Sequence, residues 1–291
     1  MYMKVCIIVF SPSGHTLHVS EKMKMFMIEQ GMEVQLINVT GKKEIFRGNA
    51  LKEYLEREVL PHDLICIGGP VYAGHLESNV KKTINCLPSV NSKWGNLAIP
   101  FVTYGGLHSS IALSEAGELL YRSGRKNILG MKISASHSLT VTLKKQINQG
   151  RPNEDDDKII LKLVNRVINL INMNKEIKDV RKSFSYAPLI QKVAFSFLSQ
   201  DFFHKNYRCI SIDGDKCIGC GKCVSGCPVN MLELINKKAT VTNNINQCIL
   251  CAECFHNCPA DAIKYSYLSK VKNRLEKETK LEFPQSEVYP V

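Results

Sequence analysis

The sequence predicts an α/β chain: a doubly wound, five-stranded parallel sheet followed by a small α+β domain. Three observations carry that expectation. Short apolar runs alternate with helical patterns over the first 137 residues. Nine of the twelve cysteines crowd between Cys209 and Cys258. Eight of those nine fall into two copies of one spacing.

The apolar runs Met3–Phe10, Glu33–Val39, Asp63–Ile67, Leu97–Thr103 and Asn127–Ser134 are each bounded by turn residues, as strands are. Between them, Thr16–Glu29, Ala50–Val59, Asn79–Leu87 and Ser109–Ser123 read as helices. Strands alternating with helices form a parallel sheet covered on both faces. The common five-strand order is 2-1-3-4-5, with a ligand at the carboxyl ends of the strands near the switch point.

Residues 138–208 read as a mostly helical bridge. Glu154–Asp157 is an acidic cluster at the start of a helix running to about Asn174, where acids suit the positive helix terminus. A second helix, 189–203, is apolar around most of its circumference, through Ile190, Val193, Ala194, Phe195, Phe197, Leu198, Phe202 and Phe203. Such a helix is either buried between domains or docked on a membrane surface or partner. The polar tail 268–291 carries no functional signal.

The cysteines speak most sharply. Cys217, Cys220, Cys223 and Cys227 precede Pro228; Cys248, Cys251, Cys254 and Cys258 precede Pro259. Both runs read C-x-x-C-x-x-C-x-x-x-C-P, the signature of ferredoxins with two 4Fe–4S clusters, in which the fourth cysteine of each run serves the other cluster. Cys217, Cys220, Cys223 and Cys258 are therefore assigned to one cluster, and Cys248, Cys251, Cys254 and Cys227 to the second. Gly219, Gly221 and Gly226 are expected to let the backbone approach inorganic sulfur and adopt positive φ. Zinc sites use four ligands, usually in two separated pairs, and fit this doubled spacing poorly. Crossed ligation lets residues 209–267 fold on a tiny apolar core. Cys209 lies outside the pattern and, like Cys6, Cys66 and Cys86, reads as a small apolar residue.

A different site is expected on the first 137 residues. The first strand ends in FSPSGHT, residues 10–16, where Ser11, Ser13, Gly14, His15 and Thr16 open a helix. Such a turn is an anion site, although a plain helix cap needs the same residues. GGPVYAGHLE (68–77) and TYGGLHSS (103–110) follow the third and fourth strands. Each joins a tyrosine, Tyr72 or Tyr104, to glycines, and a flat aromatic ligand could stack there. His75 and His108 lie on these loops, as ligand donors or as ordinary loop histidines.

On these residues, 1–137 resemble a flavodoxin. The whole chain resembles the bacterial and archaeal flavodoxin–ferredoxin fusion proteins, the ferrodoxins. The resemblance implies a flavodoxin-like sheet, a bacterial-ferredoxin-like domain and bound FMN. Ser11, Ser13, Gly14, His15 and Thr16 would hold its phosphate. Pro70, Val71, Tyr72, Ala73 and Gly74, with Tyr104, Gly105 and Gly106, would frame its ring. Typical flavodoxins are acidic, whereas residues 1–150 carry a net charge of +6. An acidic partner such as a free ferredoxin would suit that surface better.

The remaining bulk properties bound the function. Net charge is +11 overall, but two clusters and a flavin phosphate would each bring roughly −2. No aromatic-studded basic stripe points to nucleic acid. The longest charge-free run, Leu97–Ser114, holds a proline and paired glycines and is no membrane span. The apolar run MKVCIIVF is too short for a secretory leader, so a reducing cytoplasm is expected.

The leading functional expectation is an electron relay between FMN and two 4Fe–4S clusters. The alternative is a flavin-dependent oxidoreductase that reduces a quinone, a nitro compound or oxygen, with the clusters feeding it. A ring covered by protein favours the relay; an open pocket over the ring favours the enzyme.

Overall fold

Along β1 (Lys4–Val9) every side chain after Lys4 is buried. Val5 and Ile7 point into one apolar layer, Cys6 and Ile8 into the other. A strand buried on both sides has to be central. The computed structural model describes residues 3–46, 48–106, 108–140, 143–173, 176–197, 210–242, 248–281 and 285–291. Five parallel strands appear where the sequence placed them: β1, β2 (Glu33–Asn38), β3 (His62–Tyr72), β4 (Trp94–Tyr104) and β5 (Gly130–Ser134). Their order is β2-β1-β3-β4-β5, the doubly wound arrangement expected.

Helices clothe both faces. α1 (His15–Glu29) buries Val19, Met23 and Met27 on one side. α2 (Ala50–Glu58), α3 (Ser78–Asn85) and α4 (Ala112–Arg122) bury Leu55, Val80, Ile84, Leu113 and Leu120 on the other. α5 (Glu154–Asn172), expected in the bridge, packs beside α1 through Ile160, Leu163, Val164 and Val167. Its start is a capping box in which Asn153 and Asp156 exchange hydrogen bonds with backbone amides.

The C-terminal tail brings a finding that its composition hid. Glu287–Tyr289 forms an antiparallel edge strand on β5, which extends the row of five parallel strands at its β5 edge. Three residues are too few to show a strand period. The contact is instead anchored by side chains. Ser134 N–H donates to Ser286 Oγ at 2.8 Å, and the Ser286 hydroxyl donates to the buried carboxylate of Asp156. Arg151 Nε donates to the same carboxylate at 2.9 Å.

A second difference lies at GGPVYAGHLE, expected as a loop. β3 runs on through it, pairing Gly69 with Val102 and Pro70 with Thr103. It then folds back as a hairpin in which Val71 pairs with Leu76 and Tyr72 with His75. Ala73 (φ 50°) and Gly74 (φ 78°) make its two-residue turn. Both residues at positive φ is the geometry that matches strand twist. A Cβ on Gly68 or Gly69 would strike Phe101 or Val80. Those two glycines therefore make room for the core.

α6 (Leu189–Phe197) touches the body through Phe195, whereas Leu189 and Ile190 are 75% and 84% exposed. All-round burial of this segment is thus not what the described part adopts; residues 198–203 of the expected helix, and Cys209, lie outside the described residues.

The cysteine-rich segment is framed by β6 (Ser211–Ile212), paired antiparallel with β9 (Ile263–Lys264). Within it β7 (Leu232–Ile235) and β8 (Lys238–Val241) form a hairpin. Two single-turn helices, α7 (Lys222–Ser225) and α8 (Glu253–His256), follow the second cysteine of each run. α9 (Ser266–Glu278) then returns to the sheet. Gly41 N–H donates to Pro228 O at 3.1 Å and Asn230 Nδ2 to Gly41 O at 3.3 Å, tying the loop after β2 to the end of the first run. Among the described residues no helix is long and apolar enough to cross a membrane.

Candidate functional site

The two cysteine runs fold alike because they carry the same backbone turns. Gly219 (φ 71°) and Gly221 (φ 74°) have counterparts in Leu250 (φ 61°) and Ala252 (φ 64°). Asn230 (φ 53°), three residues after Cys227, matches Asp261 (φ 46°), three after Cys258. The second run thus holds with non-glycine residues a left-handed backbone that the first achieves with glycine. Gly226, expected at positive φ, is right-handed at −82°. It serves closeness instead, since a Cβ there would lie 3.0 Å from Lys222 O.

Side chains from the two runs cross. One cavity is lined by Cys217, Cys220, Cys223 and Cys258, the other by Cys227, Cys248, Cys251 and Cys254. Among the described residues no three His, Cys, Asp or Glu side chains converge as they would on a single ion. Four thiols spread around a cavity suit a polynuclear group better. Backbone amides already point at sulfur: Met231 N–H donates to Cys227 Sγ at 3.1 Å, Ala262 N–H to Cys258 Sγ at 3.3 Å and Ala239 N–H to Cys217 Sγ at 3.4 Å. The amides of Ala239 and Gly219 lower the Cys217 pKa. Burial pushes Cys254 up to about 12 and Cys251 well above its ordinary value. Only a strongly cationic centre would make thiolates at the buried positions favourable. The donor set therefore fits iron–sulfur clusters.

The second site is a cavity of about 410 Å³ at the carboxyl ends of the strands, a volume typical of cofactor pockets. Ser13, His15, Pro70, Val71, Tyr72, Ala73, Gly74, Tyr104, Gly105 and Gly106 all line it. Three expected residues do not. Ser11 Oγ accepts from Leu17 N–H at 2.9 Å, and Thr16 Oγ1 pairs with Thr103 Oγ1 at 2.7 Å, so both hydroxyls are turned into the fold. Gly14, at φ 82°, precedes the first residue of α1. The amides of His15 and Thr16, first in that helix, have no intrahelical acceptor and suit an anion. Tyr104 is buried, its hydroxyl donating to Gln285 O at 3.2 Å, which ties its ring to the tail.

Residues that sequence reasoning passed over complete the wall. Ala135–Leu139, after β5, lie beside Gly105, and Phe195 of α6 lies against Gly74. α9 lays Val271, Arg274, Leu275 and Glu278 across the cavity. The rule that ligands sit at carboxyl strand ends pointed to the loop after β5; nothing in the sequence pointed to α9. The loop histidines divide. His75 does not line the cavity: Nδ1 lies 2.8 Å from Glu115 Oε1 and Nε2 2.8 Å from Phe195 O. His108 does line it, packed edge-on against Phe195.

The two sites share a wall. Ile249, between the first two cysteines of the second run, lines both the large cavity and the cavity of Cys248, Cys251, Cys254 and Cys227. Tyr72 faces the large cavity and sits close enough to Cys251 and Glu253 for their charges, after burial, to raise its pKa.

Comparison with known proteins bears on both halves. Residues 210–265 match the 4Fe-4S dicluster domain family. Thirty residues are 60% identical to Ferredoxin-2 of Desulfomicrobium norvegicum, covering 10% of this chain and 51% of that protein, so the chain spans about half the length of that relative. Among solved structures, the chain is similar to an archaeal flavodoxin (16% identity, 58% of this chain, 99% of that one, TM-score 0.38) and to flavodoxin 2 of Bacillus cereus (17%, 57%, 99%, TM-score 0.40). It is also similar to rubredoxin oxygen:oxidoreductase of Desulfovibrio gigas (12%, 58%, 36%, TM-score 0.41). Those scores are low, and the strand order is the firmer ground for the fold. A flavodoxin-like sheet and a 4Fe–4S dicluster ferredoxin segment are joined in one chain.

Proposed function

We propose that this protein relays electrons between an FMN in the large cavity and two 4Fe–4S clusters. Bound FMN would exchange electrons singly or in pairs, and each cluster one at a time. The observation that carries the reading is Ile249, one side chain thick between the flavin cavity and the nearer cysteine quartet. The order is then flavin, the cluster of Cys248, Cys251, Cys254 and Cys227, and the cluster of Cys217, Cys220, Cys223 and Cys258. Cys220 is exposed, beside Ile218 at 69% exposure. The outer cluster would therefore meet a redox partner, whereas an acidic carrier would suit the net charge of +6 on residues 1–150.

The chain's own residues would also seat the flavin. Phe195, Leu250 and the α9 side chains Val271 and Leu275 form an apolar part of the cavity wall. The amides of His15 and Thr16, with Ser13, would hold the phosphate by dipoles, since no cation sits in that turn.

Anaerobic reconstitution followed by a stepwise redox titration, with optical and EPR detection, tests this. One flavin and two clusters that equilibrate electrons are expected. Holoprotein that binds no flavin would sink the N-terminal assignment and leave the ferredoxin segment alone. A Cys258→Ser variant should perturb the cluster of Cys217; a change confined to the cluster of Cys248 would refute the crossed ligation.

A further inference from the structure

His137 stands in the loop after β5, where no expectation placed a functional residue. Its backbone is pinned. His137 N–H donates to Ile147 O at 3.1 Å, and its carbonyl accepts from Thr140 N–H at 2.9 Å and from Thr140 Oγ1 at 3.0 Å. Gly105 exists in this form because of it: a Cβ on Gly105 would lie 2.6 Å from His137 Cα. The ring is pinned as well. Leu139 N–H donates to His137 Nδ1 at 3.2 Å. An amide can only donate, so Nδ1 must be the bare nitrogen and the ring's proton must sit on Nε2. That nitrogen has no protein partner among the described residues. His137 lines the flavin cavity, with Nε2 beside Gly106, where an added Cβ would be 3.8 Å away.

We infer that His137 is a fixed hydrogen-bond donor to the bound flavin, held in its Nε2–H form by the Leu139 amide and aimed by the Gly105 contact. The inference rests on the flavin reading above. It also orients the ligand, because only the nitrogen- and oxygen-bearing edge of an isoalloxazine can accept; the dimethylbenzene edge cannot. That edge must then face Gly105, Gly106 and His137. Burial keeps the ring neutral, lowering its pKa to about 4, against a weaker opposing pull from Glu278. The other titratable groups on the cavity wall are His15, Tyr72, Tyr104, His108, Arg274 and Glu278, and Arg274 Nε is paired with Glu278 Oε1 at 2.7 Å. A neutral donor there stabilises the electron-rich reduced flavin without bringing a charge that titrates near neutral pH.

The test uses the full-length, cluster-loaded protein stripped of flavin and titrated with FMN. His137→Phe removes the donor; His137→Gln restores an N–H near the position of Nε2. His137→Phe should bind FMN roughly three- to tenfold more weakly, the worth of one neutral hydrogen bond. Its flavin midpoint potential should fall, with both cluster EPR signals unchanged. His137→Gln should recover most of both properties. If FMN binds and both variants keep wild-type affinity and potential, the inference is wrong while the flavin site stands. If the unmodified protein takes up no FMN, the flavin reading itself has failed. Should His137→Phe misfold, His137→Met, a flexible side chain that also lacks the N–H, takes its place: a lowered flavin potential restored in His137→Gln supports the donor, and an unchanged potential refutes it.

Discussion

The sheet and the cysteine-rich segment reach order by opposite means. Around the sheet, Phe101, Phe184, Met23, Met27 and Leu55 are wholly buried, and the two faces carry separate apolar layers. Residues 210–265 have a core of Ile210, Leu232, Ile263 and Tyr265 that is interleaved with cysteines themselves. The first region draws its stability from apolar area and needs no ligand for it. The second buries thiols whose neutral form burial favours, and it pairs strands of only two and four residues. Its order depends on what the cysteines hold.

The sharpest way to break that contrast is to remove iron. Chelation of the reduced holoprotein should unfold residues 210–265, read as loss of amide protection there, while the sheet keeps its protection. Equal loss in both regions would mean that the segment supports the sheet through Gly41, Pro228 and Asn230. Next comes Phe184→Ala. Phe184 fills the notch between Gly117 and Gly130, where an added Cβ would lie 2.6 Å from its ring at either glycine. A loss of about 3–5 kcal/mol is expected in denaturant titration, with cluster absorption retained until the sheet melts.

An acid effect of intermediate size follows from His137. Its folded pKa, about 4, lies below its unfolded value near 6.5. The unfolded chain therefore takes up the proton first. The stability this half-buried ring contributes is present above pH 6.5 and is lost as the pH falls from there toward 4. Between pH 7.5 and 5 the cost is roughly 2 kcal/mol. His15, His62, His108 and His256 are lowered in the same direction. The share of His137 is therefore read as the difference in acid sensitivity between wild type and His137→Gln, which should be less acid-labile.

The smallest effect compares the two cysteine runs. Ala252→Gly should stabilise the cluster-loaded segment by up to about 1 kcal/mol, because it relieves a left-handed alanine. Gly221→Ala, its mirror image, should cost a similar amount, since the nearest atom, Leu234 Cδ1, is 3.4 Å away and can yield. Thermal loss of cluster absorbance measures both. A steep penalty at Gly221 would show that the runs are less alike than their backbones.

Much of the site was legible beforehand, for reasons that differ by region. That Cys258 would line the cavity of Cys217 could be expected because both runs carry the two-cluster signature, in which the fourth cysteine crosses over. Ser13, Tyr72 and Gly105 could be placed in one cavity because strand order brings their loops together. Ser11 and Thr16 could not be separated from them, since a hydroxyl turned inward to Leu17 or Thr103 has the same local sequence as one turned to a ligand. Nor did any periodicity announce the hairpin at Ala73–Gly74.

By itself the sequence determined the alternating strands and helices and the two cysteine runs, because each is encoded by local periodicity or fixed spacing; the strand order was expected only as the common one for such alternation. Only the tertiary structure decided that Glu287–Tyr289 pairs along the sheet edge, that α9 and Phe195 line the cavity, and that Ile249 lies against both sites. It also decided that the Leu139 amide sets the proton on His137. Those contacts link residues far apart in the chain, and their energy comes from complementary surfaces that no short stretch of sequence contains.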